Sequence, residues 1–165
     1  MNPATIQETI RLWQADPGKA MGKPSVKGHS DGTQAVLEFG SYSWRADLPP
    51  SVGGSGAAPT PTVLLLSALA GCAVVFIRDT LAPQLGVRVE SVKAVAQCEA
   101  DTRGLLGMEG ALPDLQNLRL VIQIQSPDSE ARVRHLYQVW LERCPIYLAL
   151  VKPLSVEVTL EIGDA

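Results

Sequence analysis

Residues 61–82 constrain the fold of this 165-residue chain more than any other stretch of its sequence. The stretch reads PTVLLLSALAGCAVVFIRDTLA, and residues 63–77 within it carry no charge. Apolar side chains fall on every side of the helix that they predict, which is the pattern of a helix buried all round. One sheet from a single chain covers only part of such a helix. We therefore expect a homodimer that pairs two of these helices under two sheets.

The same stretch can also be interpreted as a membrane span, because a helix of roughly 20 residues is ~30 Å long. Its uncharged part, residues 63–77, ends at Arg78 and is shorter than the roughly 17 to 25 apolar residues that a bilayer requires. The basic flanking loops and the aromatic belt that accompany many spans are not evident in the neighbouring sequence. We expect no membrane association, and a span is kept as the alternative.

Composition narrows the classes of partner. Charged residues make up 19% of the chain and apolar residues 46%, with a net charge of -3 and a sequence pI near 5.4. This composition gives no indication of a basic surface, so binding to nucleic acid is not expected. The N-terminus, MNPATIQETI, lacks the charged and apolar regions of a secretory signal, so a cytoplasmic protein is expected. The length predicts a single domain over residues 1–165.

The first half of the chain predicts one helix and one small sheet before the central helix. An amphipathic helix is expected at residues 2–15, and an antiparallel strand meander at residues 26–47. Pro, Gly, Ser and Ala dominate residues 49–61, which we interpret as a surface loop. Thr60 is the expected cap of the central helix, which should end near Gly86.

The second half predicts strands on either side of a helix. Apolar and polar side chains alternate around residues 92–98 and 118–124, with Cys98 on the core face. Ser126 and Pro127 open a predicted amphipathic helix. A last strand is predicted at residues 154–162, where the apolar side chains are Leu154, Val156, Val158, Leu160 and Ile162. The order of the predicted helices and strands along the whole chain indicates an α+β fold with antiparallel sheets.

Three cysteines, Cys72, Cys98 and Cys144, are the only residues that suggest special chemistry. They form no CxxC pair, and with only two histidines the chain has few metal ligands. His135 lies on the predicted helix after Pro127 without a second ligand at useful spacing, so we expect it to be exposed or structural. In a reducing compartment such cysteines are most often buried small apolar residues.

Two cysteine motifs give the chain a family resemblance. PTPTVLLLSALAGC, followed far downstream by ERCPIYLAL, is similar to the cysteine motifs of the OsmC/Ohr family, and GVRVESVKAVAQCEADTRGLLGM is similar to its connecting strand and loop. The likeness extends over about residues 23–162 and is to the OsmC-like branch. It implies antiparallel sheets packed on a long buried central helix, in an intertwined homodimer with a thiol site at the subunit interface.

The resemblance also implies a reaction. In that family the first cysteine attacks the O–O bond of an organic hydroperoxide and becomes a sulfenic acid, which the second cysteine captures as a disulfide. Those residues would be Cys72 and Cys144 in this chain. Only a thiolate is nucleophilic, and a nearby second thiol protects the sulfenic acid from further oxidation. An external dithiol, such as a lipoyl group, would restore the pair, and no metal or other cofactor is implied.

The chain departs from the family where the first thiol is activated. Peroxidatic members carry a Glu before the first cysteine and an Arg in the N-terminal sheet, whereas Thr62 and Val63 occupy the Glu region here. Arg45 and Arg143 are possible substitutes, and with Thr62 they are the candidate activating or pocket residues. A buried thiol without a cation ionises poorly, so weak or lost activity is expected. The alternative is a non-catalytic dimer that binds a small apolar ligand or acts as a redox sensor.

Overall fold

Two separate antiparallel sheets lie before and after a long central helix. The computed structural model describes residues 3–152 and 154–163. A π-helical turn, Ile77–Leu81, joins the helices Pro61–Phe76 (α2) and Ala82–Leu85 (α3), so that the two form one continuous helix. In chain order the elements are α1 (Pro3–Ala15), β1 (Lys27–Asp31), β2 (Gln34–Phe39), β3 (Tyr42–Ala46), α2 (Pro61–Phe76), α3 (Ala82–Leu85), β4 (Ser91–Glu99), α4 (Thr102–Leu105), β5 (Gln116–Gln125), α5 (Glu130–Arg143) and α6 (Pro145–Val151).

The sheets are those that the alternating sequence predicts. β1, β2 and β3 form an antiparallel meander, in which Gly32 takes a positive φ of 61° in the turn between β1 and β2. β4 and β5 form an antiparallel pair with Ser91 opposite Gln125. Cys98 is half-buried on β4, at an irregularity of the pairing between Gln97 and Glu99. The predicted α+β class is confirmed.

The central helix has the predicted bounds. The hydroxyl of Thr60 accepts a hydrogen bond from the backbone N–H of Val63 at 3.3 Å, and Pro61 occupies the first turn. At the other end Gly86 takes a left-handed φ of 64°, the conformation in which glycine commonly ends a helix. The helix spans Pro61–Leu85.

The core lies where the central helix meets α5, β4 and β5. Its largest fully buried side chains come from the central helix, from α5 and from the residue that follows α5, and they are Leu69, Ile77, Leu81, Leu136, Trp140 and Cys144. Half-buried side chains from the inner face of β4 and β5, such as Val92, Ala94, Leu120 and Ile122, close this core. Both cysteine motifs therefore contribute to the same packed centre.

One side of the central helix is uncovered in the single chain. Within the described part of α2 only Leu69 and Ala73 are buried, whereas Val63 and Val75 are about half exposed, at 46% and 52%. By length and composition alone, Pro61–Leu85, with a mean hydropathy of 1.9, could cross a membrane, and core helices of soluble proteins share these two properties. The helix that the sequence predicts to be wholly buried therefore lacks part of its covering here, and the homodimer stays a prediction.

The prediction of a last strand at residues 154–162 is wrong for the single chain. Residues 154–163 have no regular secondary structure, and the apolar side chains from Leu154 to Ile162 are 63–87% exposed. Alternation is a property of side chains, whereas a strand forms only when a neighbouring edge accepts its backbone hydrogen bonds. None of the described residues supplies that edge to this segment.

Helix boundaries near the second cysteine also differ from the prediction. Pro127 precedes α5, but the helix begins at Glu130, with Ser129 at its cap position. The CPIYLAL segment forms a separate short helix, α6, which the sequence did not predict. His135 is exposed on α5, as expected.

Candidate thiol site

The two motif cysteines meet in the core. Cys72 lies in the middle of α2, and Cys144 lies between α5 and α6. Their Sγ atoms are 3.1 Å apart although 72 positions separate them in sequence. Cys144 is fully buried and Cys72 is half-buried, and both are unbonded thiols. Packing of α6 against α2 therefore brings together the pair that the motifs indicate.

The residues after Cys144 set its position. Pro145 disfavours a helical conformation at the preceding residue, and Cys144 takes the extended angles φ -70° and ψ 112°, at which α5 ends. Pro145 then starts α6, and the backbone N–H of Tyr147 donates a hydrogen bond to the Cys144 sulfur at 3.4 Å. The sequence Cys-Pro-Ile-Tyr thus turns the chain and points the thiol inward.

Aromatic rings form one wall of the core beside Cys144. The ring centroid of Trp140 lies 5.4 Å from that of Tyr147 and 6.4 Å from that of Tyr137. Trp140 and Cys144 belong to the same buried cluster as Ala73, and Cys72 packs against that cluster. The thiols therefore lie in an apolar environment.

This environment suppresses ionisation of the candidate nucleophile. Burial, and then the adjacent thiol of Cys144, raise the pKa of Cys72 from the ordinary value of 9.0 to about 12. The backbone N–H of Ile146 favours the thiolate but does not offset these effects. At neutral pH Cys72 is consequently almost entirely in the thiol form in this arrangement.

The candidate activating residues are engaged elsewhere. Arg45 hydrogen-bonds Gln34 at 2.8 Å and Asp31 at 2.9 Å on the first sheet, and Arg143 hydrogen-bonds Gln84 at 3.3 Å. Over residues 3–152 and 154–163, neither guanidinium hydrogen-bonds a cysteine sulfur. Thr62 is half-buried in the first turn of α2, which places it ~15 Å along the helix from the first thiol at ~1.5 Å per residue. An activating role for any of the three stays a prediction.

The sequence matches a known family over most of this region. Residues 53–159 match the family described as OsmC-like protein. The chain belongs to the OsmC-like family. Its matched part runs from the loop before α2 through both cysteine motifs to the segment after α6, so it contains every element that forms the thiol site.

Solved structures share the fold of this OsmC-like chain. An OsmC-like protein from Mycoplasma pneumoniae aligns with a TM-score of 0.65 and 19% identity, covering 79% of this chain and 89% of that one. An organic hydroperoxide resistance protein OsmC from Legionella pneumophila aligns with a TM-score of 0.54 and 19% identity, covering 80% and 91%. An organic hydroperoxide resistance protein from Elizabethkingia anophelis aligns with a TM-score of 0.56 and 13% identity, covering 80% of this chain and 90% of that one. These likenesses establish the OsmC-like fold.

A curated relative of the OsmC-like chain is a far larger protein. Over 76 residues the chain is 30% identical to the nonribosomal peptide synthetase cm3A of Cordyceps militaris. The match covers 43% of this chain and 2% of that protein, so the chain spans a very small part of its relative's length.

A buried carboxylate, which the sequence prediction missed, orders the loop that leads into α2 of the OsmC-like domain. Asp47 is buried and accepts hydrogen bonds from the hydroxyl and backbone N–H of Ser55 and from the backbone N–H groups of Leu48 and Ala57. Gly54 passes so close that a Cβ atom would clash with the Leu48 carbonyl. These donors, led by the Ser55 hydroxyl, hold the pKa of Asp47 well below its usual range. The loop is therefore closed around a charged group just before the cap of the central helix.

We expect Asp47→Asn to destabilise this loop and to lose the pH dependence that the carboxylate confers. Because the pKa of Asp47 is lowered on folding, its contribution to stability is complete above the unfolded-state value of 3.8 and is lost as the pH falls below it. The difference in Tm between the natural chain and the variant should therefore shrink between about pH 5 and pH 3. Thermal unfolding at several pH values measures this, with exposed Asp114→Asn as the matched control. Equal shifts for both variants at every pH would contradict the role of Asp47.

Proposed function

We propose that this OsmC-like domain is a thiol-dependent peroxidase that reduces organic hydroperoxides through Cys72 and Cys144. The observation that carries the proposal is the 3.1 Å separation of their Sγ atoms, because a resolving thiol must stand beside the sulfur that is oxidised. The family membership and the two structural neighbours that are described as organic hydroperoxide resistance proteins add support.

The proposed reaction balances over two steps and a reductive reset. The Cys72 thiolate attacks the outer oxygen of the hydroperoxide, the O–O bond breaks, and the alkoxide leaves as the alcohol after taking a proton. Cys144 then attacks the sulfur of the resulting sulfenic acid, forming a disulfide and releasing water. A disulfide has an S–S distance of ~2.05 Å, so the sulfurs must approach by ~1 Å from their present positions. An external dithiol, such as a lipoyl group, reduces the disulfide and is itself oxidised.

The raised pKa of Cys72 predicts that this peroxidase is slow in the single-chain arrangement. The proposal therefore includes a homodimer, in which a second copy covers the exposed side of α2 and changes the surroundings of the half-buried thiol. A cytoplasmic location, where free thiols persist, and a role against oxidative stress complete the proposal.

Steady-state turnover tests the proposal directly. The purified chain is supplied with cumene hydroperoxide and dihydrolipoamide, and consumption of the peroxide is followed over time. We expect Cys72→Ser to reduce the rate to that without protein, because the thiol that attacks the peroxide is removed. We expect Cys144→Ser to abolish turnover supported by the dithiol while allowing one oxidation of Cys72. Cys98→Ser is the matched control and should keep the rate of the natural chain. Equal rates for the natural chain and Cys72→Ser would refute the proposal.

The raised pKa of Cys72 favours one second candidate, a non-catalytic dimer that binds a small apolar ligand or senses redox state. This candidate predicts a disulfide between Cys72 and Cys144 that forms slowly with one equivalent of peroxide and is not turned over, or a small apolar molecule retained through purification. Mass spectrometry of the intact protein before and after peroxide measures both. Rapid turnover in the steady-state assay would exclude it.

A further inference from the structure

Cys144 belongs to two helices at once. Its backbone N–H donates a hydrogen bond to the carbonyl of Trp140 at 2.9 Å, which closes the last turn of α5. Its carbonyl accepts a hydrogen bond from the backbone N–H of Leu148 at 2.9 Å, which closes the first turn of α6. Between these two bonds the backbone of Cys144 is extended, with φ -70° and ψ 112°. The chain therefore changes direction at the residue that carries the buried thiol.

Pro145 is the cause of this change of direction. A proline has no backbone N–H, and inside a helix its ring clashes with the carbonyl four residues earlier, which here is that of Leu141. It also disfavours helical angles at the preceding residue, Cys144. In the first turn of a new helix a proline is favoured, because a backbone N–H at that position would have no partner within the helix. One side chain thus ends α5 and begins α6.

The bend leaves two N–H groups of α6 free to face the sulfurs. The N–H of Tyr147 donates to the Sγ atom of Cys144 at 3.4 Å, and the N–H of Ile146 favours the thiolate of Cys72. In an unbroken helix each backbone N–H bonds the carbonyl four residues earlier, so Ile146 and Tyr147 would bond carbonyls of α5 instead. Both sulfurs would then lose a donor.

The bend also decides what α6 packs against. α5 packs mainly on the π-helical turn Ile77–Leu81, whereas α6 packs on α2, the helix that carries Cys72. An unbroken helix would carry residues 145–151 onward along the axis of α5 rather than onto α2. The separation of 3.1 Å between the sulfurs of Cys72 and Cys144 therefore depends on the extended angles at Cys144.

We propose that Pro145 is a positioning residue for the thiol pair, because the bend that it imposes holds Cys144 against Cys72. It acts through Cys144 rather than on the substrate. When the sulfurs are held together, Cys144 attacks the sulfenic acid of Cys72, forms the disulfide and releases water. When they are apart, a second hydroperoxide oxidises the sulfenic acid to a sulfinic acid and is itself reduced to the alcohol. This choice between products rests on the proposed function, whereas the pairing of the thiols is measurable without a peroxide.

Equilibration of the full chain with reduced and oxidised glutathione measures the pairing directly, at a temperature where thermal unfolding shows every variant folded. We expect Pro145→Ala to lower the effective concentration of the two thiols at least about tenfold, because alanine favours the unbroken helix. Glycine is a poor helix former, so Pro145→Gly should retain more pairing than Pro145→Ala although it removes more of the side chain. Pro127→Ala, just before α5, is the matched control and should change nothing. Equal values for Pro145→Ala and Pro127→Ala, or a value for Pro145→Gly at or below that for Pro145→Ala, would overturn the proposal.

The products formed at Cys72 test the consequence for the reaction. After treatment with cumene hydroperoxide, we expect the ratio of sulfinic acid to disulfide to rise at least about tenfold in Pro145→Ala and to stay unchanged in Pro127→Ala. Mass spectrometry of the peptide that contains Cys72 measures this ratio, which does not depend on how fast the first oxidation is. If Cys72 is oxidised and the ratio is the same in both variants, Pro145 has no positioning role. If the peroxide oxidises Cys72 in no variant while the glutathione equilibrium shifts as expected, the peroxidase is refuted and the positioning role stands.

Discussion

Alkylation of Cys72 at neutral pH is expected to be about 1,000-fold slower than that of a cysteine with the ordinary pKa. The pKa rises from 9.0 to about 12, and each of these roughly three units lowers the thiolate fraction tenfold. Only the thiolate reacts, so the rate should rise about tenfold per pH unit over the accessible range above pH 7. Iodoacetamide labelling, with mass spectrometry of the peptide that contains Cys72, measures the rate.

Two controls separate the causes of this effect. Glutathione, an exposed thiol, gives the reference rate at each pH. Cys144→Ala removes the second cause of the raised pKa, so Cys72 should react faster in this variant, while burial, the first cause, should keep its rate below the reference. A plateau in the rate for the natural chain near neutral pH would contradict the prediction. Such a plateau would mean that a group absent from the single-chain arrangement stabilises the Cys72 thiolate, which favours the peroxidase.

Leu136→Ala should cost about 2–5 kcal/mol of the free energy of unfolding. Leu136 is completely buried on α5, and its truncation both removes apolar contacts and leaves a cavity in the core that it shares with Leu81 and Trp140. For a chain of this size the corresponding fall in Tm is at least about 4 °C. Differential scanning calorimetry measures it.

The matched control for this substitution is Leu105→Ala. Leu105 is 61% exposed at the end of α4, so the same truncation removes little buried surface and should change the free energy by less than about 0.5 kcal/mol. Protein concentration must be equal in all scans, because the Tm of a dimer depends on it. If the two variants lose equal stability, the core is not centred on α5.

Sequence patterns predicted the elements whose signals are local. The cap at Thr60 and the stop at Gly86 fixed the central helix, because each acts through hydrogen bonds or backbone angles within a few residues. Alternation located β4 and β5 because a half-buried sheet sorts side chains by face. The contact between Cys72 and Cys144 is different in kind. It came from a likeness to family motifs, since no spacing rule relates residues so far apart in sequence.

Three features that depend on packing beyond a few neighbouring residues were missed or predicted wrongly. The hydrogen bonds to Asp47 come from a loop that folds back on itself, and nothing in the residues between Leu48 and Ala57 marks the carboxylate as their acceptor. α6 was missed because its seven residues are too few to show a helical period. The final strand was predicted from alternation and is wrong for the single chain, because none of the described strands pairs with residues 154–163.

The π-helical turn at Ile77–Leu81 has a consequence for the geometry of the whole molecule. Leu69, Ala73, Ile77 and Leu81 are all buried, at intervals of four residues. An α-helix rotates about 100° per residue, so each four-residue step drifts by about 40° around the axis. The wider turn rotates less per residue, so the step from Ile77 to Leu81 drifts less than the two α-helical steps before it. Ile77 and Leu81 therefore stay on the same side of the helix, where both are buried in the core with Leu136 and Trp140.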